Sequence, residues 1–145
     1  MFKRIAFVSL LAINTCYADQ LTNYKDAIDA LNNGKRLTFV VDWDTCKITN
    51  PNGTDTKANF SSSYTSDAYL ISKLGFVYVR GVTVGHPIAA MPQLGIVTQS
   101  FAYTLKGDGS LHAINRFLDP VTYAEKIKPI EADCQLGDGF KLFAA

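Results

Sequence analysis

The segment from residue 97 to residue 118 alternates apolar and polar residues, and this period of two constrains the fold more than any other feature. One face of the first strand is apolar: Val97, Phe101, Tyr103 and Leu105. The other face carries Thr98, Ser100, Ala102 and Thr104. Lys-Gly-Asp-Gly-Ser at residues 106–110 predicts a hairpin turn, and the return strand runs to about Leu118. Because a strand with one apolar face must pack that face on other elements, the pattern predicts an antiparallel sheet over a core.

Shorter patterns predict the other elements. Residues 37–43 alternate in the same way, with Leu37, Phe39, Val41 and Trp43 on the buried face. Apolar residues at helical spacing after Thr22 or Asn23 predict one short helix, which Gly34 ends. We predict further strands at residues 68–72, 76–84, 129–134 and 139–143, the second of them central and buried on both faces. Residues 49–57 read as a loop and residues 121–126 as a helical turn. The whole predicts a mainly β fold, an antiparallel sheet curled into a barrel or sandwich with one short N-terminal helix.

Residues 1–18 have the composition of a secretory signal peptide. Lys3 and Arg4 precede an apolar stretch over residues 5–13, and small residues come before Asp19. The stretch is shorter than the roughly 20 residues that a membrane-spanning helix needs. We therefore expect a leader at residues 1–18, a single domain at residues 19–145 and a periplasmic or secreted location. A lipoprotein leader, with Cys16 as the lipidated N-terminus, is the alternative.

Charge and composition restrict the kind of partner. Without Lys3 and Arg4, the 14 basic residues of the chain fall to 12, against 13 acidic residues. This balance creates no strong positive field, so we expect neither nucleic acid nor anionic lipid as a partner. Hydrophobic residues form 48% of the chain, which is enough for a buried core. We expect a soluble monomer with no integral membrane span.

The mature chain keeps two cysteines, Cys46 and Cys134. Two cysteines in an oxidising compartment usually form a disulfide, and we expect one here. The alternatives are two free thiols or a metal site completed by His86 and His112. The spacings typical of zinc sites, such as Cys-x-x-Cys, do not occur, so we expect neither a metal nor a cofactor.

Several motifs occur in a characteristic order along the chain. They are Gly34-Lys35-Arg36, Asp42-Trp43-Asp44-Thr45-Cys46, the hairpin from Tyr103 to Ser110, Asp119-Pro120-Val121-Thr122-Tyr123, and the ending from Asp133 to Phe143. In this order the sequence resembles the VirK family, small exported bacterial proteins named for a virulence region of a plant pathogen. The likeness spans nearly the whole mature chain, although residues 49–66 depart from it. It implies an association with virulence or host interaction and places both mature cysteines in the fold. It brings no catalytic mechanism that could be transferred residue by residue.

Ionisable residues offer few catalytic combinations. Asp42 and Asp44 lie two positions apart on one predicted strand face, where they could act as acid and base or, with Asp133, hold calcium. Two solvated aspartates on the wet side of a strand are the simpler interpretation, and we adopt it. His112 follows a hairpin turn on the polar face and is predicted to be exposed. The two Gly-Asp-Gly segments, at residues 107–109 and 137–139, lack the continuation of a phosphate or calcium loop and read as turns.

The irregular stretch from His86 to Leu94 is the candidate contact surface. Ile88, Met91 and Leu94 are apolar without a regular period, so this loop either folds over the core or binds a partner. We predict an exported, virulence-associated binding protein that is not an enzyme, whose partner is a protein or an envelope or host component. The alternative is a barrel-type carrier of a small apolar ligand, suggested by the aromatic residues of the strands: Phe76, Tyr78, Phe101 and Tyr103. A hydrolase that uses Asp42 and Asp44 is the third hypothesis.

Overall fold

A computed structural model gives the structure of residues 18–49, 60–89 and 91–145. Residues 1–17 of the predicted leader, including Cys16, lie outside the described residues, as do residues 50–57 of the predicted loop. Only the backbone of His86 is described.

Strands dominate the described chain. In order, its elements are β1 (Asp19–Leu21), α1 (Tyr24–Asn32), β2 (Leu37–Asp42), β3 (Lys47–Thr49), β4 (Ser61–Thr65), β5 (Tyr69–Ser72), β6 (Phe76–Pro87), a 3-10 turn (Pro92–Leu94), β7 (Ile96–Lys106), β8 (Ser110–Leu118), β9 (Ile130–Leu136) and β10 (Gly139–Ala144). The prediction of a mainly β fold with one short N-terminal helix is confirmed.

The strands form one curled sheet, a half-barrel, in the order β4-β2-β10-β9-β8-β7-β6-β5. Strand β1 pairs with β10, and β3 pairs with β9. All pairs are antiparallel except β9 and β10, which pair in parallel where Gly139 and Phe140 meet the end of β9. The two edge strands of the sheet, β4 and β5, are consecutive in the chain. Because only three residues separate them, the end of β4 and the start of β5 lie close together.

The concave face of the half-barrel and the helix enclose the core. Leu37, Phe39 and Val41 of β2 are fully buried, and Trp43 directly after this strand is 1% exposed, as their alternation predicted. The side chain of Asn23 accepts a hydrogen bond from the backbone N–H of Asp26 and so caps α1. The helix buries three residues, Ala27, Ala30 and Leu31, against the same core.

The structure corrects the prediction for β6. This strand is second from one end of the sheet and buries only its inner face, with Val82 on the outer face 56% exposed; Val84, at the register shift that follows, is 72% exposed. A run of β-branched residues looks like a strand buried on both faces, but here one face of the run is exposed because no layer covers it.

Strand β4 was not predicted because its Ser-Ser-Ser-Tyr-Thr sequence has no apolar alternation. Residues 121–126 form no helix, because the carboxylate of Asp119 accepts backbone N–H groups of the following residues and holds them in a turn.

Candidate functional site: a cleft in the half-barrel

The incomplete closure of the sheet leaves a cleft of about 440 Å³ between β4 and the second half of β6. Its lining combines aromatic, hydroxyl and amide side chains: Ser62, Ser63, Tyr64, Thr83, Val84, Gln99, Phe101, Tyr103 and Asn115. A volume of 300–1,000 Å³ is typical of pockets that hold small molecules. The cleft is therefore large enough for a ligand.

Tyr64 bridges the two sides of the cleft. Its hydroxyl donates a hydrogen bond to the backbone carbonyl of Arg80 on β6 at 3.1 Å, and its ring meets that of Phe101 edge-on with 4.3 Å between centroids. Gly81 makes this approach possible, since a Cβ atom there would lie 2.3 Å from the Phe101 ring and 2.7 Å from the Tyr64 ring. In the described part of the chain, no ladder of backbone pairs joins β4 to β6, so this aromatic contact takes its place.

Two amide side chains lie at inward positions of β7 and β8. Asn115 is 4% exposed, and its Oδ1 accepts a hydrogen bond of 2.9 Å from Nε2 of Gln99. Neighbouring inward positions on both strands are apolar, with Val97 and Phe101 on either side of Gln99. The amide pair thus interrupts an otherwise hydrophobic inner face at the point where the cleft begins.

The hydroxyl group of Ser62 in the cleft has a fixed partner. The indole Nε1 of Trp43 donates to Oγ of Ser62 at 2.7 Å, and the Ser62 hydroxyl lies near the phenol of Tyr103. Burial raises the pKa of Tyr103 above its ordinary value near 10, and the Ser62 hydroxyl lowers it only in part, so this phenol is neutral at physiological pH. Among the described residues that line the cleft, tyrosine alone carries a titratable side chain. Its chemistry is that of neutral hydrogen bonds and apolar contact.

Of the four aromatic residues that suggested a carrier, Phe101 and Tyr103 line the cleft. Tyr78 does not, because it alternates with the buried Val77 and Val79 and faces outward. Its hydroxyl accepts hydrogen bonds from the guanidinium of Arg80, also on the outer face. Phe76, two residues earlier, shares that face. The period of two predicted correctly which residues of β7 face inward. It could not do so for β6, because both faces of that strand carry apolar residues.

The predicted contact loop is partly exposed. Ile88, Met91 and Leu94 are each half-buried. The ammonium group of Lys126 donates 2.9 Å hydrogen bonds to the carbonyls of Leu94 and Ile96 and so fastens the loop to the chain after β8. This part of the surface also carries apolar side chains that water reaches: Ile96, Val121 and Tyr123, which are 57%, 83% and 65% exposed.

Asp42 and Asp44 are exposed, as expected, but they do not share a strand face. Strand β2 ends at Asp42, and its carboxylate accepts the backbone N–H of Asp44 in the turn that follows. Asp133 lies opposite Lys47 and contacts His112, with 2.9 Å between Oδ1 and Nδ1. His112 lies on the outer face, as predicted, and is partly exposed there; the register of β8 with β9 also places it beside this carboxylate, a contact that the sequence did not predict.

The two cysteines of the described chain are bonded to each other: Cys46, just before β3, and Cys134, in β9. The expected disulfide is therefore present. Both residues are more than nine-tenths buried, and the bond holds the β2–β3 turn against the sheet. The two Gly-Asp-Gly segments are turns, as predicted, with Gly109, Gly137 and Gly139 at positive φ.

Within residues 18–49, 60–89 and 91–145, no three His, Cys, Asp or Glu side chains form a group that could hold a metal ion. The same residues contain no helix with the length and apolar character needed to cross a membrane.

The fold and cleft define a class of protein: a small disulfide-linked half-barrel with a pocket whose described lining residues carry no charge. The family model of the VirK protein matches residues 20–123. A crystal structure of a VirK family protein from Legionella pneumophila superimposes with a TM-score of 0.70, at 23% sequence identity, over 86% of this chain and 98% of that one. No curated protein matches the sequence. The chain belongs to the VirK family, as its motifs suggested.

Proposed function

We propose that this VirK family protein is exported and acts in virulence by binding, without catalysis, a protein or an envelope or host component. Family membership is the observation that carries the association with virulence. The disulfide is consistent with an oxidising compartment outside the cytoplasm.

The apolar end of the half-barrel is the surface that we propose for partner binding. It consists of Ile88, Met91, Leu94, Ile96, Val121 and Tyr123, together with the backbone of His86, which belongs to the end of β6 and not to the irregular loop that the sequence predicted. Tyr123 has a φ of 57°, in the left-handed region that residues other than glycine rarely adopt, and still exposes most of its ring. Exposed aromatic and aliphatic side chains on a fixed backbone are typical of protein interfaces.

A non-catalytic role is supported by the separation of ionisable groups from the cleft. His112 and Asp133 form their contact on the outer face of β8 and β9, whereas the cleft lining holds amides, hydroxyls and aromatic rings. General acid–base catalysis needs a titratable group within hydrogen-bond reach of the substrate. For that reason we do not assign the cleft a reaction.

The test replaces Ile88 and Met91 with serine in the chromosomal copy of the gene and compares infection with the wild-type strain. We expect the double variant to be exported and folded but to lose the virulence phenotype of the wild type. Leu74→Ser is the matched control, because Leu74 is 87% exposed at the opposite end of β6 and should leave virulence unchanged.

Two further readouts make the test specific. The exported protein should have the mass of residues 19–145 with one disulfide, and an uncleaved protein retained in the cytoplasm would contradict export. A double variant that melts far below the wild type would mean that Ile88 and Met91 belong to the core, and full virulence with an intact fold would contradict binding through this surface.

The cleft favours a second candidate function, a carrier of a small ligand. The observation behind it is the 440 Å³ volume lined by Tyr64, Phe101 and Tyr103. A closed barrel was the expected form of such a carrier, whereas the half-barrel opens its pocket at the side. Native mass spectrometry of the exported protein tests it: added mass that is lost on denaturation would show a carried molecule, and a bare chain would not.

A further inference from the structure

We infer that the cleft binds a neutral small molecule that has an apolar body and one uncharged donor–acceptor group, an amide or a hydroxyl. This inference rests on the second candidate function and names the chemical class of its ligand. It follows from the charge, the unpaired hydrogen-bonding atoms and the shape of the cleft.

Because the described lining residues carry no charge, we expect the ligand to be neutral. None of the nine lining residues that the structure describes is a lysine, arginine, histidine or carboxylate, and the buried Tyr103 phenol stays protonated. An ionised ligand group would lose its hydration in the cleft without gaining an opposite charge, which is strongly unfavourable. A neutral molecule avoids this cost, so the cleft selects against carboxylates and amines.

The amide pair provides the polar end of the site. Gln99 and Asn115 together have four N–H donors and two carbonyl acceptors, and their mutual hydrogen bond uses one of each. No hydrogen bond among the described residues uses Oε1 of Gln99 or Nδ2 of Asn115. A ligand amide or hydroxyl satisfies both atoms at once, because it accepts from Asn115 and donates to Gln99.

The aromatic wall provides the apolar end. Tyr64 and Phe101 lie in contact, and Tyr64 is held by its hydrogen bond to the carbonyl of Arg80, so this wall is preformed. Val84 continues it at the opening of the cleft. An aliphatic or aromatic body of the ligand would cover these rings, with a gain of roughly 25 cal/mol per Å² of apolar surface removed from water.

The amide pair would otherwise be an unfavourable choice for the core. On the inner face of β7 and β8, the neighbours of the two amides are buried and apolar. A hydrophobic pair of similar volume would fill the same positions and leave no polar atom without a hydrogen-bond partner. Natural sequences depart from such local rules mainly at functional sites. The departure here occurs where the inner face opens to the cleft, which is the position that a ligand contact requires.

The test uses the neutral fluorophore N-phenyl-1-naphthylamine with the full mature protein and measures its displacement by octanamide and by octanoate. We expect saturable fluorescence enhancement, with octanamide displacing the dye at a concentration at least tenfold below octanoate. Asn115→Leu should reduce that preference to less than threefold. Ser100→Ala, on the outer face of β7, is the control and should keep the wild-type preference.

A second measurement does not depend on how the variants fold. In wild-type protein labelled with nitrogen-15, octanamide should shift the side-chain amide signals of Asn115 and Gln99 in a saturable way. Dye binding with equal displacement by octanamide and octanoate would overturn the ligand class and leave the carrier function standing. If neither the dye nor octanamide binds, the carrier function fails as well. Unchanged amide signals in a protein that binds octanamide would place the ligand elsewhere and overturn the inference.

Discussion

Opening the disulfide between Cys46 and Cys134 should remove a large part of the stability of this protein. The bond joins residues that are 88 positions apart. In the chain-entropy model, a crosslink that closes a loop of this length stabilises the fold by about 4.6 kcal/mol. A domain of this size has a total free energy of unfolding of about 5–15 kcal/mol, so the reduced protein should be close to the limit of folding.

Urea unfolding, followed by the fluorescence of the single tryptophan, measures the loss directly. Trp43 is 1% exposed, three residues before Cys46, so its emission will shift strongly when the core opens. Oxidised and reduced wild-type protein have the same side chains apart from the bond, which makes the reduced protein the best comparison. With an m-value of about 2 kcal/mol per molar urea, the midpoint should fall by about 2 M.

The Cys46→Ala, Cys134→Ala double variant separates the crosslink from the packing of the sulfur atoms. It should be as unstable as the reduced protein or slightly less stable, because both cysteines are buried and alanine leaves small cavities. A loss of less than about 1 kcal/mol on reduction would refute the reasoning. It would mean that residual structure already holds the two segments together in the unfolded chain.

Three other predictions concern the aromatic wall, a turn and the contact loop. Gly81→Ala should cost about 2 kcal/mol because the new methyl group overlaps two aromatic rings, whereas Gly107→Ala, with its nearest neighbour at 3.5 Å, should cost far less; equal urea midpoints would contradict this. Hydrogen bonds from turn N–H groups lower the pKa of Asp119, so its stabilising effect should be full above pH 4 and disappear as the pH falls through its lower folded pKa. The difference in Tm between wild type and Asp119→Ala should therefore narrow from pH 5 to pH 2, and a constant difference would disprove the link. Lys126→Met should speed hydrogen exchange in residues 91–96 because two carbonyl contacts are lost, while Lys128→Met should not; matching exchange rates would contradict the role of Lys126.

The sequence predicts those parts of the fold in which neighbouring residues carry the pattern. Strands β7 and β8 and their hairpin were predicted nearly to the residue, because the alternation and the Asp-Gly turn lie within one continuous segment. Strand β4 could not be predicted in this way. Its Ser-Ser-Ser-Tyr-Thr segment is extended because it pairs with β2, with Tyr64 opposite Phe39, and that partner lies 25 residues away in sequence.

The candidate site was predicted less well than the fold, because its residues come from strands that are distant in sequence and meet only in the folded sheet. Gln99 and Asn115 are polar residues at inward positions of two strongly alternating strands, and this is the sequence signal that marks them. The cleft itself depends on how far the sheet curls, because only the curl brings Tyr64 within reach of Arg80. A period of two shows which residues face inward, but it does not show whether the two ends of a sheet meet.

Asn115 also allows stability and ligand binding to be weighed against each other at one position. If the amide pair serves only the fold, replacing both members with leucine and methionine should destabilise the protein, since a satisfied hydrogen bond is lost and the new side chains must be accommodated. If the pair is kept for a ligand, the same replacement should be neutral or stabilising in the ligand-free protein, because two polar groups without full partners are exchanged for apolar packing. The urea midpoint of the double variant Gln99→Met, Asn115→Leu therefore tests for a structural role, and its ligand discrimination tests for a binding role. A midpoint at or above that of the wild type, together with lost discrimination between octanamide and octanoate, would mean that the sequence keeps these amides for what enters the cleft.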